Sequence, residues 1–215
     1  MLDKNYVFVF DKDGVITDTE TFKMQLLENI LTADHPQLSK EIIGFNRKHR
    51  GMYRSDKISA IFKEVIEKPL DKPQLQAYLE KFAQQMQKQL VDIELIPGVI
   101  EFIKQQHCTQ YISSAAPEEE VIKHLDYFEI NPYFEDVYAS PNFTDKATAI
   151  RKIQQKHQKE IIFFGDSLSD LDYAQQTNAH FFGITHCSDA FVSLKHINLL
   201  PNFKNAYEKI AAALA

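Results

Sequence analysis

The sequence predicts an α/β fold: a parallel sheet with helices on both faces, interrupted early by an all-helical insert. Three observations predict it. The short apolar runs Tyr6–Phe10 and Ile161–Phe164 read as buried strands, and each leads at once into acidic residues. After Pro97-Gly98, strand-like and helix-like runs alternate along the rest of the chain. Between Thr19 and about Gln89 no strand-like run occurs, and apolar residues recur at helical spacing.

In chain order, Tyr6-Val7-Phe8-Val9-Phe10 is β-rich and runs straight into Asp11-Lys12-Asp13-Gly14. Helical periodicity follows at Phe22, Leu26 and Ile30, then at Ile58, Ile61, Phe62 and Val65, then at Leu75, Leu79, Phe82 and Met86. Val99 to Gln106 reads as a helix and Gln110–Ser113 as a short strand, with Pro117 in the first turn of the next helix. Asp136–Ala139 is a strand and Ala147 to His157 a helix. Ile161–Phe164 is the second strongly buried strand, ending in Gly165-Asp166. Leu168 to Gln176 is a helix, His180–Ile184 a strand, and Asn205 to Leu214 a closing helix.

The 215 residues suffice for one sizeable domain, or for one that carries a smaller insert. Sixteen Phe and nine Tyr can fill a core without any Trp. A formal net charge of −6 argues against a general nucleic-acid binder, which is usually basic. The two cysteines, Cys108 and Cys187, lack CxxC spacing and do not indicate a disulfide framework. The first residues lack the apolar stretch of a signal peptide, and no apolar run approaches a membrane span. The expectation is a cytoplasmic enzyme with no membrane association. The eight histidines show no HExxH spacing, and no zinc site is expected.

Four short segments carry the candidate chemistry, each at a predicted strand end or helix start. They are Phe10-Asp11-Lys12-Asp13-Gly14-Val15, Ile112-Ser113-Ser114-Ala115, Lys146 after Asn142-Phe143-Thr144-Asp145, and Phe164-Gly165-Asp166-Ser167-Leu168-Ser169-Asp170. In open α/β sheets, ligands sit beyond the carboxyl ends of the strands. Asp11, Asp13, Asp166 and Asp170 would crowd that end with negative charge, which is costly unless a cation sits among them. Hard oxygen donors suit Mg²⁺. Lys146 and the Ser114 hydroxyl add donors for a phosphate. A carboxylate can attack phosphorus, and a second one two residues on can act as acid and then as base.

Together and in this order, the four segments resemble the haloacid dehalogenase superfamily. The resemblance covers the whole chain, and phosphoglycolate phosphatase and β-phosphoglucomutase are similar relatives. It implies a Rossmann-like three-layer core from residues 1–17 and 90–215, with a small helical cap from residues 18–89. By the same resemblance, Asp11 is the nucleophile and Asp13 the acid/base. Asp11, Asp13 (through its main-chain carbonyl) and Asp166 hold Mg²⁺. Ser114, Ala115 and Lys146 bind the phosphoryl group, and Asp170 supports the metal site or Lys146. Gly14 permits the tight turn toward the cap. Ser113 competes with Ser114, and Asp172 with Asp170. Asp166 also suits the cap of the helix near Leu168, and Ser167 reads as a residue of the same helix start. This chain departs from the pattern at Lys12, where an apolar residue is more usual, so that Lys12 either lends charge to the phosphate or points elsewhere. It departs again at Ala115, in the absence of Pro after Lys146, and at Thr177-Asn178.

The implied activity is Mg²⁺-dependent hydrolysis of a small phosphomonoester, a sugar phosphate or phosphoglycolate-like molecule, through a phospho-aspartate on Asp11. The basic stretch Arg47–Arg54, with Lys57, lies in the expected cap. Arg54, Lys57 and Glu20 are the candidate contacts to the non-reacting part of that substrate, and a solvated basic helix face is the competing account. A phosphomutase is the alternative enzyme, although its relatives carry a cap-entry histidine roughly where Lys23 stands here. The presence of Asp13 disfavours a dehalogenase. Phosphonate cleavage would need a cap lysine such as Lys57 or Lys48. A non-catalytic phospho-ligand-binding module is the remaining rival. Either a monomer or a homodimer is compatible with the sequence.

Overall fold

The computed structural model describes residues 5–49, 54–88, 93–140, 142, 143 and 145–214. The chain forms two compact units, one from Met1–Asp18 with Glu94–Ala215, the other from Thr19–Ile93.

The first unit is built on a six-stranded parallel sheet, made of β1 (Tyr6–Phe10), β2 (Gln110–Pro117), β3 (Asp136–Ser140), β4 (Glu160–Gly165), β5 (His180–Ile184) and β6 (Asn198–Leu200). Its order is β3-β2-β1-β4-β5-β6. The connections reverse direction between β1 and β4, which makes the carboxyl ends of these two strands the switch point where such sheets bind ligands. Register brings the two ends level: Phe10 is opposite both Ile112 and Phe164. Asp11 extends the ladder by donating its N–H to the Phe164 carbonyl at 2.9 Å.

Alternation along the strands feeds two cores. Phe8, Phe10, Ile112, Ile162 and Phe164 face one side, packed on Phe102 and Phe203. Val7, Val9, Tyr111, Ile161 and Phe163 face the other, packed on Ile150 and Ile153. The aromatic residues replace the missing tryptophan: Phe10 stacks on Phe164 at 4.7 Å between centroids, and Phe8 on Phe102 at 5.9 Å. Flanking helices are α5 (Val99–Gln105), α6 (Glu118–Tyr127), α7 (Lys146–His157), α8 (Leu168–Thr177) and α9 (Ala206–Ala213).

The regular elements of the second unit, among its described residues, are all helical, and the α-helices are α1 (Thr19–Asp34), α2 (Ser39–Lys48), α3 (Arg54–Glu64) and α4 (Lys72–Lys88). Its own core gathers Leu27, Ile30, Leu31, Ile42, Ile58, Ile61, Phe62 and Phe82. α4 starts sharply because Asp71 and Gln74 satisfy each other's backbone N–H at 2.8 and 2.9 Å. No helix among the described residues is long and apolar enough to cross a membrane. Cys108 and Cys187 form no disulfide.

Three elements differ from the sequence reading. β2 runs four residues past Ser113, with its pairing to β3 shifting register between Ser113 and Pro117. Pro117 is the N-cap residue of α6, not part of its first turn. The edge strand β6 was not anticipated, because three residues with two leucines carry too little periodicity to register.

Phe102→Ala should lower unfolding free energy by about 3–5 kcal/mol, since the ring is buried among Phe8, Phe164 and Phe203. Leu168→Ala, at a side chain 49% exposed, should stay within about 0.5 kcal/mol of the parent. Urea midpoints at constant slope check both.

Candidate active site

Asp11 follows a strand whose side chains Val7 to Phe10 are wholly buried, so its carboxyl group is carried into a dry strand end, where it is 7% exposed. Its Oδ1 accepts the Lys12 N–H at 2.7 Å, and its Oδ2 lies 2.9 Å from the Lys146 ammonium. Burial pushes Asp11 above its ordinary range to about 7, with Asp170 and Asp13 adding to the rise and Lys146 opposing it.

Lys146 arrives from the other side of the sequence. Asp145 caps α7 by accepting from the N–H groups of Ala147 and Thr148, which sets Lys146 at the first helical position. A cation there opposes the helix dipole. Burial also works to depress the ammonium, yet the carboxylates of Asp11 and Asp170 outweigh it and hold Lys146 charged. The Lys146 Nζ–Asp170 Oδ1 distance is 2.6 Å.

The turn after β4 places the other acids. Gly165 lets Asp170 fold back: a Cβ at Gly165 would meet the Asp170 Cβ at 2.3 Å. Ser167, not Asp166, caps α8, in a reciprocal box with Asp170. The Asp170 Oδ2 thereby accepts from the Ser167 hydroxyl at 2.6 Å and the Ser167 N–H at 3.1 Å. The Asp166 carboxylate lies over Gly14, where an added Cβ would come within 2.1 Å of its Oδ2. Gly14 itself has φ +77°, the left-handed region. Carboxylate oxygens of Asp11, Asp166 and Asp170 all fall within 4.8 Å of one another. The Asp13 carboxylate stands outside this group and bonds to Lys12.

Ser113, Ser114, Ala115 and Lys146 line one cleft, with Tyr138, Phe143, Asp145, Ser169 and Tyr173. Ser114 is buried and its Oγ accepts the Ala116 N–H at 3.1 Å. The pairing of β2 with β3 is interrupted across Ser114–Ala116, between the Ser113–Tyr138 and Pro117–Ser140 pairs. Asp172, the alternative to Asp170, makes none of these contacts.

Lys12, which had two readings in the sequence, has its ammonium between two acids, Asp13 and Glu120. It is fully buried, and its Nζ lies 3.1 Å from both Asp13 Oδ1 and Glu120 Oε1. Sequence reasoning missed Glu120 and its neighbour His124, since nothing in their spacing marks them. It also missed the approach of Asp18, His186 and Cys187, whose ligand-type atoms come within 4.8 Å across a long sequence gap.

In the helical unit, Arg54 stacks over the Phe82 ring at 3.7 Å, and Glu20 pairs with Lys23 at 3.1 Å. Lys57 is buried, which lowers its ammonium, while Glu20 and Glu28 oppose that. Arg47 pairs with Glu28 at 3.3 Å. The rest of the basic stretch, residues 50–53, lies outside the described residues, as does Thr144.

Gly14→Ala should lower stability by more than about 1 kcal/mol, because of its left-handed φ and the clash with Asp166. Gly44→Ala in α2, where an added Cβ meets nothing within 4 Å, should raise stability by about 0.5–1 kcal/mol. Thermal melts of both variants against the parent check the contrast.

No curated protein matches the chain. Among solved structures, it is similar to a haloacid dehalogenase-like family hydrolase from Streptococcus pneumoniae, at 18% identity and TM-score 0.69, covering all of both chains. It is similar to a predicted phosphoglycolate phosphatase from Haemophilus somnus, at 16% identity and TM-score 0.74, covering 94% of this chain and 96% of that one. It is also similar to a protein provisionally described as a β-phosphoglucomutase from Thermotoga maritima, at 15% identity and TM-score 0.69, covering 95% and 99%. These likenesses establish the fold. The profile of the haloacid dehalogenase-like hydrolases matches residues 8–184, which span the acidic strand ends and the helical unit alike, and the chain belongs to that family.

Proposed function

We propose that this protein is a phosphatase that hydrolyses a small phosphomonoester, with Mg²⁺ as cofactor, through a phosphoryl group carried on Asp11. One observation supports this above the others: a buried Asp11, raised in pKa, sits in one group with Asp166 and Asp170 while Lys146 touches two of the three. Three converging carboxylates are a poor arrangement for a structural core and a good one for binding a cation.

The donor set fits Mg²⁺, since every candidate ligand is a hard oxygen. Asp11, Asp166 and the main-chain carbonyl of Asp13 would hold the ion. Asp170 serves better as a support, because both of its oxygens are already engaged by Lys146 and Ser167. When bound, Mg²⁺ supplies positive charge against the oxygens of the transferring phosphoryl group.

The chain's own residues do the rest. Asp11 attacks phosphorus, and the acyl phosphate forms as the ester P–O bond breaks. Asp13 gives its proton to the leaving alcohol and then takes one from the water that attacks phosphorus, as the bond from the Asp11 oxygen to phosphorus breaks and inorganic phosphate leaves. Lys146, held charged, meets the phosphoryl oxygens together with Ser114 and the backbone of Ala115. Arg54, Lys57 and Glu20 of the helical unit are the candidates for recognising the non-reacting part of the substrate.

Phosphate release from a panel of sugar phosphates and phosphoglycolate should require Mg²⁺ and stop in EDTA. Asp11→Asn should lower kcat by about a thousandfold or more on the best substrate. Release that survives EDTA, or that survives Asp11→Asn, contradicts the reading.

A further inference from the structure

We infer that Asp18, His186 and Cys187 form a second metal site, for a thiophilic divalent ion of the Zn²⁺ class, separate from the carboxylate group at Asp11. The inference goes beyond the phosphatase reading and does not depend on it.

All three residues belong to the first unit. A carboxylate oxygen, a ring nitrogen and a sulfur come within 4.8 Å of one another there, in a group that shares no residue with Asp11, Asp166 and Asp170. Local folding accounts for the meeting. Neighbouring side chains of an extended strand point to opposite faces. β5 ends at Ile184, and the chain bends at His186 and Cys187, which lets two adjacent side chains serve one point. The bend is anchored on both sides. The Thr185 N–H donates to the Leu200 carbonyl at 3.0 Å, and the Ser188 hydroxyl donates to the Asp166 carbonyl. Asp18 arrives from the other end of the chain and is anchored too, its N–H donating to the Glu94 carbonyl at 2.8 Å. The backbone that carries the ligands is thus set in advance, and side-chain movement completes the site.

The donor types select the ion. Mg²⁺ and Ca²⁺ take oxygen ligands and do not suit a thiolate. Thiolate sulfur, imidazole nitrogen and carboxylate oxygen are the donors that Zn²⁺ takes. Bonds of about 2.0–2.3 Å put tetrahedral donors roughly 3.3–3.8 Å apart, so closure asks for shifts of about 1 Å. Thiolate and carboxylate together also match the charge of a divalent ion. As the ion binds, the Cys187 S–H bond breaks, the proton passes to the buffer, and the sulfur electron pair forms the bond to the metal; nothing is oxidised or reduced. Three protein donors leave the fourth position to water. His186 is exposed, while Asp18 and Cys187 are half-buried, so the ion has a path in and out. Such a site suits an exchangeable ion.

The test uses the full chain, stripped of metal and kept reduced, with Mg²⁺ in excess and Co²⁺ as the spectroscopic substitute for Zn²⁺. Titration should raise a thiolate-to-cobalt charge-transfer band that Zn²⁺ then removes. A Co²⁺ ion held by carboxylates alone gives no such band, so the Asp11 group does not contribute to it. Cys187→Ser should abolish the band and Cys108→Ala should keep it. His186→Ala and Asp18→Asn should each weaken Co²⁺ binding by about tenfold or more, since even groups that only support a metal ligand are worth that much. Because His186 is exposed, its variant remains informative if Cys187→Ser does not fold. No band in the wild type, a band that survives Cys187→Ser or vanishes with Cys108→Ala, or unchanged affinity in either His186→Ala or Asp18→Asn overturns the inference and leaves the phosphatase reading untouched.

Discussion

Lys146 lies between the carboxylates of Asp11 and Asp170, 2.9 and 2.6 Å away, and this contact ties together three elements: the end of β1 and the starts of α7 and α8. Each group is poorly placed alone. A buried carboxylate at a strand end loses its solvation, and a lysine at a helix N-terminus opposes the dipole. Together they offset each other's cost. Gly165 and the Ser167–Asp170 capping box make the arrangement possible by bringing the α8 carboxylate back over the end of β4.

A surplus of negative charge remains after Lys146 is counted, because Asp166 joins the same group. That surplus is the physical argument for a cation and, on the proposed reading, for Mg²⁺. The aromatic core beneath, with Phe10 stacked on Phe164, holds the two strand ends level. The position of Asp11 relative to Asp166 is therefore set by core packing and by the Asp11–Phe164 backbone bond as much as by polar contacts at the site. Lys12 adds a second charge bridge on the other side of the same turn, facing Glu120 and Asp13.

Much of this was legible in the sequence because it rests on local signals. Two apolar runs that end in acids gave away β1, β4 and the switch point between them. The absence of strand-like runs from Thr19 to about Gln89, with apolar residues at helical spacing, pointed to a helical insert. What was not legible depends on long-range placement. Glu120 is 108 residues from Lys12, and no local pattern announces their contact. The sequence offers both Asp166 and Ser167 at the start of α8, and the fold of the turn gives the cap to Ser167. β6 escaped because an edge strand of three residues depends on its neighbour β5 rather than on its own pattern.

The central claim is that Asp11 carries the phosphoryl group. Turnover with Mg²⁺ and the best ester found should be quenched in acid within the first cycles, and the protein digested and analysed by mass spectrometry. The account predicts a phosphoryl group on the peptide that contains Asp11, absent when EDTA is added before substrate. Steady hydrolysis with no phosphorylated peptide at any quench time, or with the label on another residue, would contradict it.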